Sequence, residues 1–296
     1  MRFGIKAMQF EAVVPSDLPS ADLMAHVMNF DLAERVRELH ALGFNPIELG
    51  GDLAMFLPHT FAPPAIEGLA TLKQETGVGY TVHLPLWSVE PSTPLTPVRE
   101  GSVRAVIDTI RATAPLEPET YVLHATGALA SEFYQKKLSE AGKSLILGIF
   151  QSNARESLKT ILAKTGIPSR QLAIETIEFP FDLTLEMAEE LDLSMCLDVG
   201  HVLVGFSGPT GVFEALERCL PRLAEIHLHD GPWQGSERKL GYGQDHSPLG
   251  TGDLDTVRLL ARLTEADFAG PLIFELKVEE ALASLDVIRA IRPDLP

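Results

Sequence analysis

The amino-acid sequence predicts a single (β/α)8 barrel, and three observations predict it. The chain has 296 residues, and one closed α/β barrel typically takes about 250. Eight short apolar runs of strand character alternate with amphipathic helical stretches along the whole length. Ionisable residues recur at the ends of those runs, the end at which barrel active sites are built. Strands alternating with helices imply a parallel sheet, because parallel neighbours need a crossover connection. Eight such units point to closure. The open doubly wound alternative lacks its usual mark, since no G-x-G-x-x-G follows the first strand.

In chain order the strand candidates are FGIKAMQF from Phe3, NPIELGG from Asn45, GYTVHLPL from Gly79 and TYVLHATG from Thr120. They continue with LAIETIEF from Leu172, LSMCLDVGH from Leu193, AEIHLHDG from Ala224 and PLIFELK from Pro271. Helical periods such as LAERVRELHAL, REGSVRAVIDTIRAT, LTLEMAEELD, VFEALERCL and LDTVRLLARLTEA lie between them. The stretch from Ser131 to Ile167 is expected to hold two helices in series. GVG at Gly77 to Gly79 reads as a turn before the third strand, and the Pro-rich pieces at Ala62 and Val89 as loops at strand ends. With no linker or low-complexity tract, residues 1–296 read as one domain.

Composition narrows the function. Hydrophobic residues make up 45% and charged residues 22%, ordinary for a globular enzyme. No run approaches the roughly 18 apolar residues of a membrane span, and MRFGIKAMQF lacks the layout of a signal peptide, so the expected location is the cytoplasm. Cys196 and Cys219 form no CxxC pair and read as buried thiols. A formal net charge of −17 repels a phosphate backbone. A small-molecule substrate is therefore expected, with neither nucleic acid nor membrane as partner; self-assembly is left open.

His83 and His124 end the third and fourth strands, Glu175 interrupts an apolar fifth, and Asp198 and His201 close the sixth. His227, His229 and Asp230 end the seventh, and Glu275 the eighth. Side chains alternate along a strand. If Ile226 and Leu228 face the helices, His227 faces the barrel axis; the same parity turns Glu175 and Glu275 inward. Several buried carboxylates together are costly unless a cation neutralises them. Imidazole and carboxylate donors suit Zn²⁺, Mn²⁺ or Fe²⁺. The plainer readings are hydrogen-bonded rim histidines and a glutamate paired with Lys6 or an Arg. Repetition at one level in strands three to eight favours the metal. His26 and His40 fit no pattern and read as surface residues; His59 sits in a loop and Glu48 ends the second strand, where it contacts substrate or pairs with a neighbour.

AIETIE, CLDVGH, EIHLHDG, DHSPLGTGDLD and LIFELK together resemble the xylose isomerase-like TIM-barrel superfamily, over all eight units. That superfamily includes sugar isomerases and epimerases and the endonuclease IV branch. The resemblance implies a divalent metal, Zn²⁺ or Mn²⁺, on Glu175, Asp198, His227 and Glu275. In isomerase-like members the two glutamates matching Glu175 and Glu275 also act as acid and base. His83, His124, His201 and His246 resemble the further metal ligands of the endonuclease IV branch and favour hydrolysis with about two ions. Gln244 stands where that branch has Asp, and Asp245 is out of register, which disfavours a third ion. Isomerases commonly have a basic residue just after the strand-seven histidine; HLHDGPW has none. Glu48, His229, Asp230, Trp233, Arg238 and Lys239 are the expected substrate contacts, the last two complementing phosphate. The histidine pattern and VHLPL resemble cobamide-remodelling phosphodiesterases. The leading expectation is a metal-dependent phosphodiester hydrolase acting on a small molecule or cofactor; the alternative is a sugar or sugar-phosphate isomerase or epimerase.

Overall fold

The computed structural model describes residues 1–7, 13–14, 18–234 and 243–295. Eight parallel strands close into a barrel in sequence order, the last pairing with the first. They are β1 (Arg2–Lys6), β2 (Ile47–Gly50), β3 (Tyr80–His83), β4 (Tyr121–Leu123), β5 (Leu172–Glu175), β6 (Ser194–Asp198), β7 (Leu223–His227) and β8 (Pro271–Phe274). The predicted runs overlap all eight but extend beyond them, and β3 to β8 each stop at or one residue before an ionisable residue of the site. The helices are α1 (Ser20–Met28), α2 (Leu32–Ala41), α3 (Leu53–Phe56), α4 (Pro63–Thr76), α5 (Thr96–Thr113) and α6 (Ala128–Gln135). After them come α7 (Glu140–Thr165), α8 (Phe181–Glu190), α9 (Val199–Leu203), α10 (Val212–Cys219), α11 (Thr256–Glu265) and α12 (Val278–Ile291). No helix among the described residues is long and apolar enough to cross a membrane.

The helices form where pattern and caps agree. In α2 the buried residues Leu32, Val36 and Leu39 make one stripe, and Asp31 caps the first turn by accepting from the Ala33 and Glu34 amides. Ser139 caps α7, which buries Leu147, Phe150, Leu158 and Ile161 against the barrel, each contributing about 1.5–3 kcal/mol. Helices α6 and α7 are the two pieces expected in series. One loop expectation is corrected: Pro63 and Pro64 open α4, since a first helical turn needs no amide donor there.

Strand parity runs as the sequence implies. Leu49, Val82, Leu123, Ile174, Leu197, Ile226 and Phe274 belong to the large core between strands and helices. The opposite face of the strands fills the barrel, with Val122, Ala173 and Cys196 in a small cluster of their own. Cys196 and Cys219 are buried and unbridged.

The loop after β7 folds back on itself. Residues 230 and 247 pair as an antiparallel bridge, each amide donating to the other's carbonyl, which carries His246 back over the barrel mouth. The Asp230 carboxylate accepts from the amides of Gly231, Gly250, Gly252 and Leu254, so it shapes the following loop.

Candidate metal centre

Six of the nine histidines meet at the carboxyl end of the barrel. Glu175 is the hub. Its Oε2 lies 3.2 Å from His83 Nε2 and 3.1 Å from His124 Nε2, and its Oε1 lies 2.9 Å from His201 Nδ1. Asp198 Oδ2 is 3.1 Å from His201 Nδ1 and 2.9 Å from His229 Nε2. Glu275 Oε2 is 3.1 Å from His246 Nε2, and its Oε1 accepts a hydrogen bond from Lys6. Glu175, Asp198 and His227 are essentially without exposure. His201 corrects the expectation that it closes the strand: β6 ends at Asp198, whose side chain caps α9 by accepting from the His201 amide at 2.6 Å, and His201 rides on that helical turn.

Two imidazoles show what the cluster is suited to hold. His83 Nδ1 lies 3.0 Å from the Leu84 carbonyl. A ring that donates there presents its Nε2 lone pair to Glu175 Oε2. His227 Nε2 lies 3.3 Å from Glu48 Oε2. A ring that donates there turns a bare Nδ1 toward Glu175 Oε2 at 3.5 Å, and toward Asp198 Oδ2 and Glu275 Oε1, each at 3.6 Å. That Nδ1 is buried and has no hydrogen-bond partner. A lone pair facing carboxylate oxygens is repulsive unless a proton or a cation lies between them. Donors around a tetrahedral Zn²⁺ with bonds of about 2.0–2.2 Å stand roughly 3.3–3.6 Å apart. The spacing of the three carboxylates from His227 Nδ1, and the chemistry of the Glu175, Asp198, His227 and Glu275 set, therefore suit a divalent cation.

His201, His229 and His246 also come within ligand spacing of one another, yet hydrogen bonding removes His229 from the donors. Its Nδ1 accepts from the His246 amide at 2.9 Å and its Nε2 faces Asp198 at 2.9 Å. Both nitrogens are engaged, and burial holds its pKa below the ordinary value. His229 thus holds Asp198 and the returning loop. Its ring lies so close to Gly200 that a Cβ there would sit 2.0 Å from it. Asp245 takes the third place: its Oδ2 is 3.3 Å from His201 Nε2 and 2.9 Å from His246 Nδ1. The register argument against Asp245 is thereby corrected. His246 has a left-handed backbone, φ 58°, so neighbouring side chains do not point to opposite faces as in an extended chain.

The electrostatics follow from burial and contact. Burial alone would raise Glu175, Asp198 and Glu275, but the histidines around the first two, and Lys6 with His227 for Glu275, hold all three well below the usual carboxylate range. Burial disfavours charge on His201 and His227, yet their carboxylate neighbours raise both well above 6.5. His246 is raised to about 9 against burial by Asp245 and Glu275. Without a cation, protons on these rings neutralise the acids.

The remaining expected contacts divide. Glu48 lies inside the barrel behind His227, fully buried, and so is placed against a ring rather than facing the mouth. Asp230 is likewise buried beneath its loop. Trp233 lines a separate cleft with Leu203, Phe213 and Asp255, none of them a cluster residue. Arg238 and Lys239 lie outside the described residues. His59 contacts the Phe30 carbonyl and His40 that of Phe44, away from the centre. Sequence reasoning missed Glu225, two residues before His227 on the same face of β7. It accepts from Thr81 Oγ1, and burial, with Glu48 nearby, raises it well above the carboxylate range. Parity alone pointed to it. Glu90 and Glu178 were also missed, because both sit on loops without periodicity. Burial pushes Glu178 up to about 7, against the pull of His124 and with Glu90 adding to it.

Comparison with known proteins bears on the fold. An uncharacterized protein from Methanocaldococcus jannaschii, MJ1311, is 22% identical over 98% of this chain and 88% of its own. The crystal structure of a D-tagatose 3-epimerase-like protein superposes with a TM-score of 0.71 at 18% identity, over 98% of this chain and 97% of that one. Endonuclease IV from Thermus thermophilus does so with a TM-score of 0.64 at 20% identity, over the full length of both. At such identities these likenesses speak for the barrel alone. The family model described as xylose isomerase-like TIM barrel matches residues 36–292, and the chain belongs to that family.

Proposed function

We propose that this protein is a metal-dependent hydrolase of a phosphodiester in a small molecule or cofactor. One observation carries the reading: His83 Nε2 and His124 Nε2 converge on the Glu175 oxygen that also faces His227. The donor set thereby extends beyond four ligands. Glu175, Asp198, His227 and Glu275 would hold one ion; His83, His124 and the shared Glu175 a second. Ions held there would lower the pKa of an attacking water and stabilise the attacking and leaving oxygens of an in-line displacement.

The chain's own residues supply the rest. Lys6 keeps Glu275 ionised, and the Asp198 cap orients both its carboxylate and His201. His229 fixes the second Asp198 oxygen. His201 and His246, outside the two proposed ion sites, would complement an anionic substrate or hand a proton to a leaving alkoxide. A nucleic-acid substrate fits poorly with a net charge of −17. Within small molecules, the nucleotide loop of a cobamide is the phosphodiester that the histidine pattern suggests.

An isomerase or epimerase reading draws on a different observation: Glu175 and Glu275 both face the same His227 nitrogen, at 3.5 and 3.6 Å, so two glutamates stand at one centre where they could serve as acid and base to a bound substrate.

Elemental analysis of protein purified without chelator separates the two. About two equivalents of zinc or manganese, falling in His124→Ala, are expected of the hydrolase. Hydrolysis of bis(p-nitrophenyl) phosphate should also disappear in Glu175→Gln. About one equivalent, unchanged in His124→Ala, overturns the two-metal hydrolase.

A further inference from the structure

Beside the His124 edge of the cluster lies a cleft of about 440 Å³, within the range that holds small ligands. Trp87, Val89, Thr126, His124, Glu90 and Glu178 line it. Among the described residues no Lys or Arg does so. The walls are built rather than loose. Asp52, itself 2% exposed, accepts from the Leu86 and Trp87 amides. The Glu90 amide donates to Ser102 Oγ at 2.8 Å. Glu90 Oε1 accepts from Ser92 and from Thr126 Oγ1. Its Oε2 reaches so close to Gly127 that a Cβ there would sit 2.1 Å away. Trp87 stays 44% exposed and meets Phe56 edge-on, with centroids 6.2 Å apart. Glu178 has a left-handed backbone, φ 65°, with its carbonyl held by Ser131 Oγ at 2.8 Å. Its Oε2 is buried without a hydrogen-bond donor.

Two acidic side chains beside the Trp87 indole, with His124 but no Lys or Arg among the described lining residues, disfavour an anion in this cleft and leave one Glu178 oxygen without a donor. An ammonium or amidinium group on a flat ring meets both features, by charge-assisted hydrogen bonds to the acids and by its face on the indole. We infer that the Glu90–Glu178 cleft is a recognition pocket for a planar, nitrogen-bearing cationic part of the substrate, held while the reacting group lies at the metals. This assignment rests on the proposed phosphodiester reaction for what lies at the metals, and on the cleft itself for the rest. It gives the substrate opposite demands at its two ends: anionic at the cluster, cationic and flat at the cleft.

Benzamidine, with benzoate and benzyl alcohol as charge controls, tests the inference on the metal-loaded protein. In a Trp233→Phe background Trp87 is the sole tryptophan, so its fluorescence reports the cleft. Benzamidine is expected to shift that emission saturably. The two controls should bind at least about tenfold more weakly, and Glu178→Gln and Glu90→Gln should each cost about tenfold in benzamidine affinity while metal content stays at the parent level. Equal binding of benzoate, no response to benzamidine, or unchanged affinity in both variants overturns the assignment. Should a variant lose metal, the three probes on the parent decide alone. A protein that binds benzamidine but hydrolyses no phosphodiester leaves the cleft standing and removes the proposed reaction. One that hydrolyses yet ignores benzamidine removes only the cleft.

Discussion

The nitrogen that His227 offers to the centre is chosen from behind. Glu48 Oε2, deep in the barrel, sits 3.3 Å from Nε2, and an imidazole that donates on one side presents a lone pair on the other. His83 is set the same way by a backbone carbonyl. The two therefore differ in how mutation reaches them, since only His227 depends on a replaceable side chain. Glu48→Leu should lower metal affinity by about 10- to 100-fold, while Glu48→Gln, which keeps an acceptor, should lose far less; competition with a chelating dye measures both. Equal affinity in the leucine variant would show that the ring needs no such partner.

At the scale of elements, the site is assembled by strand ends and one returning loop. The strands deliver His83, Glu175, Asp198 and His227 at the positions where they stop. Those residues need no loop order. His246 and Asp245 do, and Asp230 provides it through backbone amides as far away as Leu254. Asp230→Ala strands several buried donors and should cost about 2–3 kcal/mol. A urea midpoint shifted at constant slope would register that loss; a midpoint within about 0.5 kcal/mol of the parent would refute the loop's dependence on this carboxylate.

Across the whole molecule, an acidic chain concentrates carboxylates at one end of a barrel and balances them with imidazoles. That balance predicts a pH dependence. His201, His227 and His246 have folded-state pKa values above the ordinary 6.5. Their stabilisation is fully present below about 6.5 and is lost as pH rises through the folded values, about 9 for His246. His246 is 41% exposed, so solvent screens its share and the buried pair carries most of the effect. Chelator-treated protein should therefore melt at progressively lower temperature from pH 6.5 to 9. Metal-loaded protein should lose less of its melting temperature, because a cation replaces the His227 proton and binds more tightly as pH rises. Differential scanning calorimetry at both pH values checks this, and equal melting of the chelator-treated protein at both would refute it.

The sequence by itself determined the closed eight-unit barrel and the inward expectation for Glu175, His227 and Glu275, because both follow from local alternation that each strand carries within itself; Asp198 joined them through the family resemblance. It also marked His83 and His124, since each interrupts or ends an apolar run. Tertiary structure alone decided the roles that depend on distant partners. It moved Glu48 behind His227 and gave His229 to Asp198. It turned Asp245 into the cluster through a left-handed neighbour and joined Glu90 to Glu178 across separate loops. Periodicity is a property of regular backbone, whereas a loop's aim and a tautomer's choice are set by atoms brought near only when the barrel closes.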